Sequence, residues 1–190
     1  MRIFIFGSNG MLGRYLVKYL KNNNFHNITI VSLSRDELDL SDVEASDVKD
    51  VLLKYKISKG DVVLNAAGII NTKVEDFGEK ITKNVNSTFP HLLSEVCGEL
   101  MVKMIHITTD CVFSGKSGDY NENSLHDAYD IYGKTKSDGE PENCCVIRTS
   151  IMGEKGNGLI DWVKSRANKT ANGFVNHTWN GLSCLELAKV

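Results

Sequence analysis

"RIFIFGSNGMLGRYLVKYL", residues 2–20, joins an apolar run to an amphipathic one through a turn rich in glycine. Residues 2–6 are apolar enough for a strand covered on both faces. Leu12, Leu16, Val17 and Leu20 return at helical spacing. Between the two lies Gly7-Ser8-Asn9-Gly10-Met11-Leu12-Gly13, a G-x-x-G-x-x-G string. One glycine serves the tight turn, another lets backbone approach a pyrophosphate, and the third brings the helix close to the sheet. The helix start then offers N–H groups and a positive dipole end to phosphates. A glycine string alone means no more than a tight turn. Set between a strand and a helix, it predicts dinucleotide binding at Gly7, Gly10 and Gly13.

The alternation continues along the chain. Strands are predicted at 27–33, 61–67, 101–108 and 144–150, and helices at 43–56, 77–100 and 128–140. Strands separated by helical crossovers imply a doubly wound parallel sheet of the Rossmann type, an α/β fold. Residues 1–150 are expected to form the NAD(P)-binding domain. After Ser150 the pattern weakens into a helix-like "GNGLIDWVKSRAN", a loop or edge strand "GFVNHTWNG", and a helix start "LSCLELAKV". The longest stretch without regular structure is expected at 114–127, a length typical of binding loops.

Composition narrows the function classes. The 190 residues are 42% hydrophobic and 24% charged, with a formal net charge of −2 and no dominant basic run. Nucleic acid and anionic membranes therefore have no electrostatic handle. No apolar stretch reaches the ~18 residues of a membrane span. The opening apolar run is too short for a secretory leader, so residence in the cytoplasm is expected. The five cysteines lack metal-ligand spacing, which argues against a structural zinc or a disulfide framework. Cys144 and Cys145 are expected as small buried thiols.

The end of the second strand reads Ser32-Leu33-Ser34-Arg35, without the acidic side chain that grips the ribose hydroxyls of NAD. Arg35 with its flanking serines suits a 2′-phosphate, which favours NADP over NAD. In "ITTDCVFSG" an apolar strand ends in hydroxyls and a carboxylate, and "DIYGKTK" sets Tyr132 and Lys136 four residues apart on one helix face. A phenol needs a neighbouring ammonium to titrate near neutrality. Thr109, at the carboxyl end of its strand, is then placed to hydrogen-bond a substrate carbonyl while Tyr132 donates the proton. Of the two threonines, Thr108 is the one expected to bond only local backbone.

With glycine loop, Thr-Thr-Asp and Tyr-x-x-x-Lys in this order, the sequence resembles the extended short-chain dehydrogenase/reductases. Within them it is most similar to the dTDP-4-dehydrorhamnose reductase family of sugar-nucleotide reductases. The matching stretches are "IFGSNGMLG", "ELDLSD", "VVLNAAG", "NVNSTFPHLLSEVC", "ITTDCVFSG", "IYGKTKSDGE" and "IRTSIMGE". The resemblance implies NAD(P)H-dependent reduction of a nucleotide-linked 4-keto-6-deoxysugar, as in rhamnose and polysaccharide biosynthesis. It implies that Gly7, Asn9, Gly10, Met11, Leu12 and Gly13 line the pyrophosphate. Asp39 and Leu40 would contact the adenine, while Ala66, Ala67 and Gly68 would run past the ribose and phosphates. Thr109, Tyr132 and Lys136 would be catalytic, Asp110 and Arg148 would face the substrate, and Asn86 would orient backbone near the lysine. Asn176, His177, Trp179 and Asn180 are further residues on the substrate side, with packing the commoner role for such a tryptophan.

Two features depart from the family pattern. Cys111 stands where the reductases carry tyrosine and the dehydratases of the wider superfamily carry an acid, which argues against dehydration. Family members also continue beyond this length, so residues 151–190 are read as the beginning of an incomplete substrate-binding region. Two other functions remain open at this stage. One is a non-catalytic dinucleotide-binding subunit, such as the regulatory partner of methionine adenosyltransferase, and the other is a sugar-nucleotide epimerase using the same Tyr/Lys pair. Expected partners are a nucleotide-sugar substrate and, as one assembly, a second copy of the chain.

Overall fold

Five short parallel strands carry the molecule: β1 (Arg2–Phe6), β2 (Thr29–Leu33), β3 (Val62–Asn65), β4 (Lys103–Thr109) and β5 (Cys145–Thr149). Their order is β2-β1-β3-β4-β5, so the winding reverses between β1 and β3. This is a doubly wound α/β sheet, as predicted. The computed structural model describes residues 1–23, 25–154 and 158–190. Phe4 and Ile5 are fully buried, on opposite faces of β1. That explains why the strand reads as continuous rather than alternating.

One face packs on α2 (Ala45–Lys54) and α4 (Phe89–Glu99), through Phe4, Leu52, Val63, Phe89 and Leu93. The other packs on α1 (Met11–Asn22) and α7 (Cys184–Lys189), through Ile5, Leu12, Leu16, Cys184 and Leu187. The expected boundary after Ser150 therefore runs through a shared core, because the last helix returns to cover β1. Ser183 caps that helix by accepting the Glu186 N–H at 3.1 Å. Before it, α6 (Leu159–Ser165) and a two-strand ribbon, β6 (Ile151–Met152) with β7 (Leu182–Ser183), form a small outlying layer. The first two residues of the stretch predicted to begin α6, 156–157, lie outside the described residues.

The single helix predicted over 77–100 is resolved into three pieces. A helix α3 (Val74–Lys83) is bent where Gly78 takes φ +77°, a wide π turn spans Asn84–Thr88, and α4 follows. Pro90 has no N–H to give the carbonyl four residues back, that of Asn86, and its ring would crowd that oxygen in a regular turn. Widening the turn relieves the conflict and projects Asn86 sideways.

The thiols differ from expectation. Cys97 and Cys184 are the buried ones, whereas Cys145 is exposed and Cys144 half-buried. The reason is that β5 is the sheet's edge strand. Among the described residues no helix is long and apolar enough to cross a membrane.

Candidate active site

The crevice opens where the sheet order reverses, at the carboxyl ends of β1, β2 and β3, as ligand sites in such sheets do. Gly7 leaves β1 with φ +75°, and a Cβ on it would stand 2.6 Å from the Ala67 nitrogen. A Cβ on Gly13 would stand 2.1 Å from the Gly7 carbonyl oxygen. Only hydrogen fits at either position. The Gly10 N–H closes the turn on the Gly7 carbonyl at 2.9 Å. Gly10 caps α1 without a side-chain bond, and no acidic residue stands in the first turn. The helix therefore presents N–H groups and a positive end to the crevice.

A hollow of about 200 Å³ extends from Gly7 and Gly10 past Ala66, Ala67 and Gly68 to Asp39 and Leu40. Phe77, Ile81 and Val85 close it on the far side. These three escaped the sequence reading, although their spacing of four along one helix face was the available signal. The cradle thus suits a dinucleotide: glycines admit backbone to a pyrophosphate and apolar walls receive a flat base.

Ser34 gives both its N–H and its hydroxyl to Glu37, each at 2.7 Å. These bonds hold the Glu37 carboxyl below its ordinary range. Arg35 is exposed and paired with Asp39 at 3.0 Å. Asp39 is held below the ordinary carboxylate range, first by the Ser41 N–H and then by the Ser41 hydroxyl and Arg35.

Asn86 is fully buried and spends its amide on backbone. Its Oδ1 accepts the Ile69 N–H at 2.8 Å and its Nδ2 donates to the Ile69 carbonyl at 2.9 Å. Its expected role near the coenzyme is therefore to hold the segment 66–69. Lys136 is 5% exposed, and its Nζ lies 3.4 Å from the point where a Cβ of Gly68 would stand. Its ammonium also points at the Ile107 carbonyl, 3.5 Å away. Burial lowers its pKa to about 8, with Glu140 pulling the other way.

Tyr132 and Lys136 share α5 (Ile131–Ser137), which Asp130 caps by accepting the Gly133 N–H at 2.6 Å. Two glycines let this helix dock. A Cβ on Gly133 would meet the Cys111 carbonyl, and one on Gly139 would overlap the Asn86 carbonyl at 1.8 Å. The docking brings Tyr132 near Thr109 at the end of β4. Burial pushes the Tyr132 phenol up to about 12, the nearby Thr109 hydroxyl opposes it, and Cys111, Asp110 and Asp130 add to the rise. The depression expected from Lys136 is not found: the phenol is raised instead. A half-buried phenol held neutral is a proton donor rather than a base. Beside Tyr132 a second hollow of about 550 Å³ opens between Asn71–Glu75 and Tyr129–Ile131.

The threonines differ from expectation. Thr109 accepts the Cys111 N–H at 3.1 Å and donates to Asp110 at 3.3 Å. The Thr108 hydroxyl is buried and meets no hydrogen-bond partner among the described residues. Arg148 is also placed otherwise than expected. Its Nε and Nη2 bind Glu140 at 2.7–3.0 Å and its Nη1 binds the Glu122 carbonyl at 3.1 Å. It ties β5 to α5 and the 114–127 loop instead of facing a substrate, because Glu140 is a mostly buried carboxylate that needs a partner. Trp179 gives its indole N–H to Ser150 at 2.8 Å, in line with a packing role. Asn176, His177 and Asn180 are exposed in the same outlying segment.

Comparison with known proteins agrees with this fold. A dTDP-4-dehydrorhamnose reductase of Aggregatibacter actinomycetemcomitans is 30% identical over 168 residues, 84% of this chain and 54% of that protein. The methionine adenosyltransferase 2 subunit beta of Xenopus laevis is 27% identical over 159 residues, 80% of this chain and 47% of that protein. The chain thus spans about half the length of the curated relatives it matches. A crystal structure of a dTDP-4-dehydrorhamnose reductase from Clostridium acetobutylicum superposes with a TM-score of 0.81 at 23% identity, covering 100% of this chain and 68% of that one. The model of the family described as RmlD substrate binding domain matches residues 1–178, and the chain belongs to that family.

Proposed function

We propose that the chain is the coenzyme-binding and proton-donating part of an NAD(P)H-dependent reductase of a nucleotide-linked 4-keto-6-deoxysugar. The observation that carries this reading is the buried Lys136, its Nζ beside Gly68 at the edge of the glycine cradle, on the same helix face as Tyr132. The name of the Aggregatibacter relative supports the substrate class.

In this reading Gly7, Asn9, Gly10, Met11, Leu12 and Gly13 hold the pyrophosphate against the start of α1. Asp39 and Leu40 face the adenine. Arg35 is free to exchange Asp39 for a 2′-phosphate, which favours NADP while leaving NAD acceptable. When bound, the coenzyme supplies the hydride. Thr109 orients the carbonyl through its hydroxyl, with Asp110 beside it. Tyr132 gives its proton to the oxygen that becomes the alcohol, and Lys136 stabilises the phenolate left behind. The hollow between Asn71–Glu75 and Tyr129–Ile131 receives the sugar, and the segment after Ser150 begins the nucleotide side. The cytoplasm is the compartment this chemistry fits.

A second reading is a dinucleotide-binding regulatory subunit, favoured by the likeness to the methionine adenosyltransferase subunit. NADPH fluorescence and turnover of a dTDP-4-keto-6-deoxysugar separate the two. Binding with turnover that Tyr132→Phe abolishes supports the reductase. Binding without turnover supports the subunit, and no binding at all defeats both.

A further inference from the structure

Asn65 and His106 face each other across β3 and β4, both fully buried, 41 residues apart in the chain. Neither belongs to the proton-transfer group. A polar pair in the middle of a core is costly unless it holds something in place.

The hydrogen bonds run in one direction only. The Ala67 N–H can only donate, so the Asn65 atom it meets at 3.0 Å is the carbonyl oxygen Oδ1. The Asn65 amide nitrogen must then face His106 Nδ1, 3.1 Å away, and donate to it. That places the proton of the neutral imidazole on Nε2, a buried atom that meets no hydrogen-bond partner among the described residues. A doubly protonated ring would confront the Asn65 amide with a second donor. The amide would have to turn over, and Ala67 would lose its acceptor. Burial and the neighbouring Lys136 and His91 all oppose that second proton. Ala67 is the residue whose nitrogen stands against Gly7, at the floor of the crevice.

We propose that Asn65 and His106 are a positioning pair: His106, locked as the Nε2–H tautomer, aims the Asn65 amide so that it fixes the Ala67 backbone beneath the bound coenzyme. The inference rests on the reading of this crevice as the coenzyme site. Asn86 performs the matching task two residues on, at Ile69. Together the two asparagines pin both ends of the segment that a coenzyme must lie along.

The test uses the whole chain and reads the pair apart from any turnover. Heteronuclear NMR of the histidine ring nitrogens is expected to show His106 with Nε2 protonated and no titration between about pH 5 and 9. A Nδ1–H tautomer, or a titration in that range, overturns the proposal. Amide exchange is expected to quicken at Ala67 by about tenfold, the scale of one lost hydrogen bond, in Asn65→Leu and His106→Phe. It should stay slow in Asn65→Asp, which keeps the acceptor, and in His106→Gln, whose carbonyl can replace Nδ1. Ala67 exchange unchanged in Asn65→Leu sinks the idea.

Should His106→Phe fail to fold, the tautomer and the contrast between Asn65→Leu and Asn65→Asp still decide it. NADPH affinity should follow Ala67 protection across the set. If the unsubstituted chain binds no NADPH, the coenzyme reading has failed. If it binds and Asn65→Leu binds equally well, the positioning role has failed.

Discussion

The Cβ that Gly133 lacks would stand 2.4 Å from the Cys111 carbonyl oxygen. This contact between α5 and the turn after β4 sets how near Tyr132 comes to Thr109. Gly133→Ala must push the helix outward, also against Ala128, whose Cβ lies 2.7 Å from the same point. Overpacking of this kind costs about 1–3 kcal/mol. Melting should fall by roughly 2–4 °C per kcal/mol for a chain of this size. In the proposed reductase, turnover should fall further than stability does, because Tyr132 is carried away from Thr109. An unchanged melting temperature would show that the contact is not tight.

Gly98 makes the opposite case. It sits exposed in α4, and a Cβ there meets nothing within 4 Å. Gly98→Ala removes freedom from the unfolded chain without a clash and should stabilise by about 0.4–1 kcal/mol. Chemical denaturation would read this as a raised midpoint with an unchanged slope.

Lys136 carries a stability cost that the proposed role explains. Its folded pKa is lowered to about 8 by burial, whereas an unfolded lysine titrates at about 10.4. The folded chain therefore binds this proton less tightly than the unfolded one. The penalty is full below about 8 and is relieved as pH climbs towards about 10.4. Lys136→Met should raise the melting temperature at pH 7 and abolish turnover. The gain should shrink through the alkaline window. A variant less stable than the parent at pH 7 would refute the assignment.

Asp61 gives the acid limb. It is 5% exposed and accepts the Arg2 N–H at 2.8 Å, the Ser58 N–H at 2.9 Å and the Arg2 guanidinium at 2.6 Å. Burial alone would raise its pKa, but these donors outweigh it and hold the carboxyl below its ordinary value. A depressed carboxyl contributes stability that is present above the unfolded pKa of about 3.9 and is lost as pH falls through the folded value. Asp61→Asn should lower stability at pH 7 and flatten the loss below about pH 4. Equal acid slopes in the two proteins would contradict this.

Tyr132→Phe removes the proposed proton donor and little else, since the ring stays to pack. The expected loss in kcat is about 10²–10⁴-fold, with NADPH affinity nearly unchanged. Stopped-flow hydride transfer would check it.

Much of this was legible because the signals are local. Apolar runs against helical spacing placed all five strands of the main sheet, with ends differing by a residue or two. The glycine string could be read because it stands between a strand-like run and a helix-like one. Tyr132 and Lys136, four apart, had to share a helix face. Periodicity also found the helices around residue 90, but it merged them, because the wide turn at Asn84–Thr88 arises from one proline acting on the carbonyl of Asn86.

What the chain order could not show is which distant groups would claim each other. Arg148 looked available to a substrate until Glu140 and the Glu122 carbonyl took its donors. Thr108 looked like the residue tied to nearby backbone, yet Thr109 holds that bond. Asn65 lay in the matching stretch "VVLNAAG" with no role of its own and His106 in none, and they became a pair through the register of β3 against β4. Repeating patterns report the covering of strand and helix faces, which depends on neighbours a few residues away. The partner of a buried polar atom depends on packing between elements, and that is settled only when the chain closes on itself.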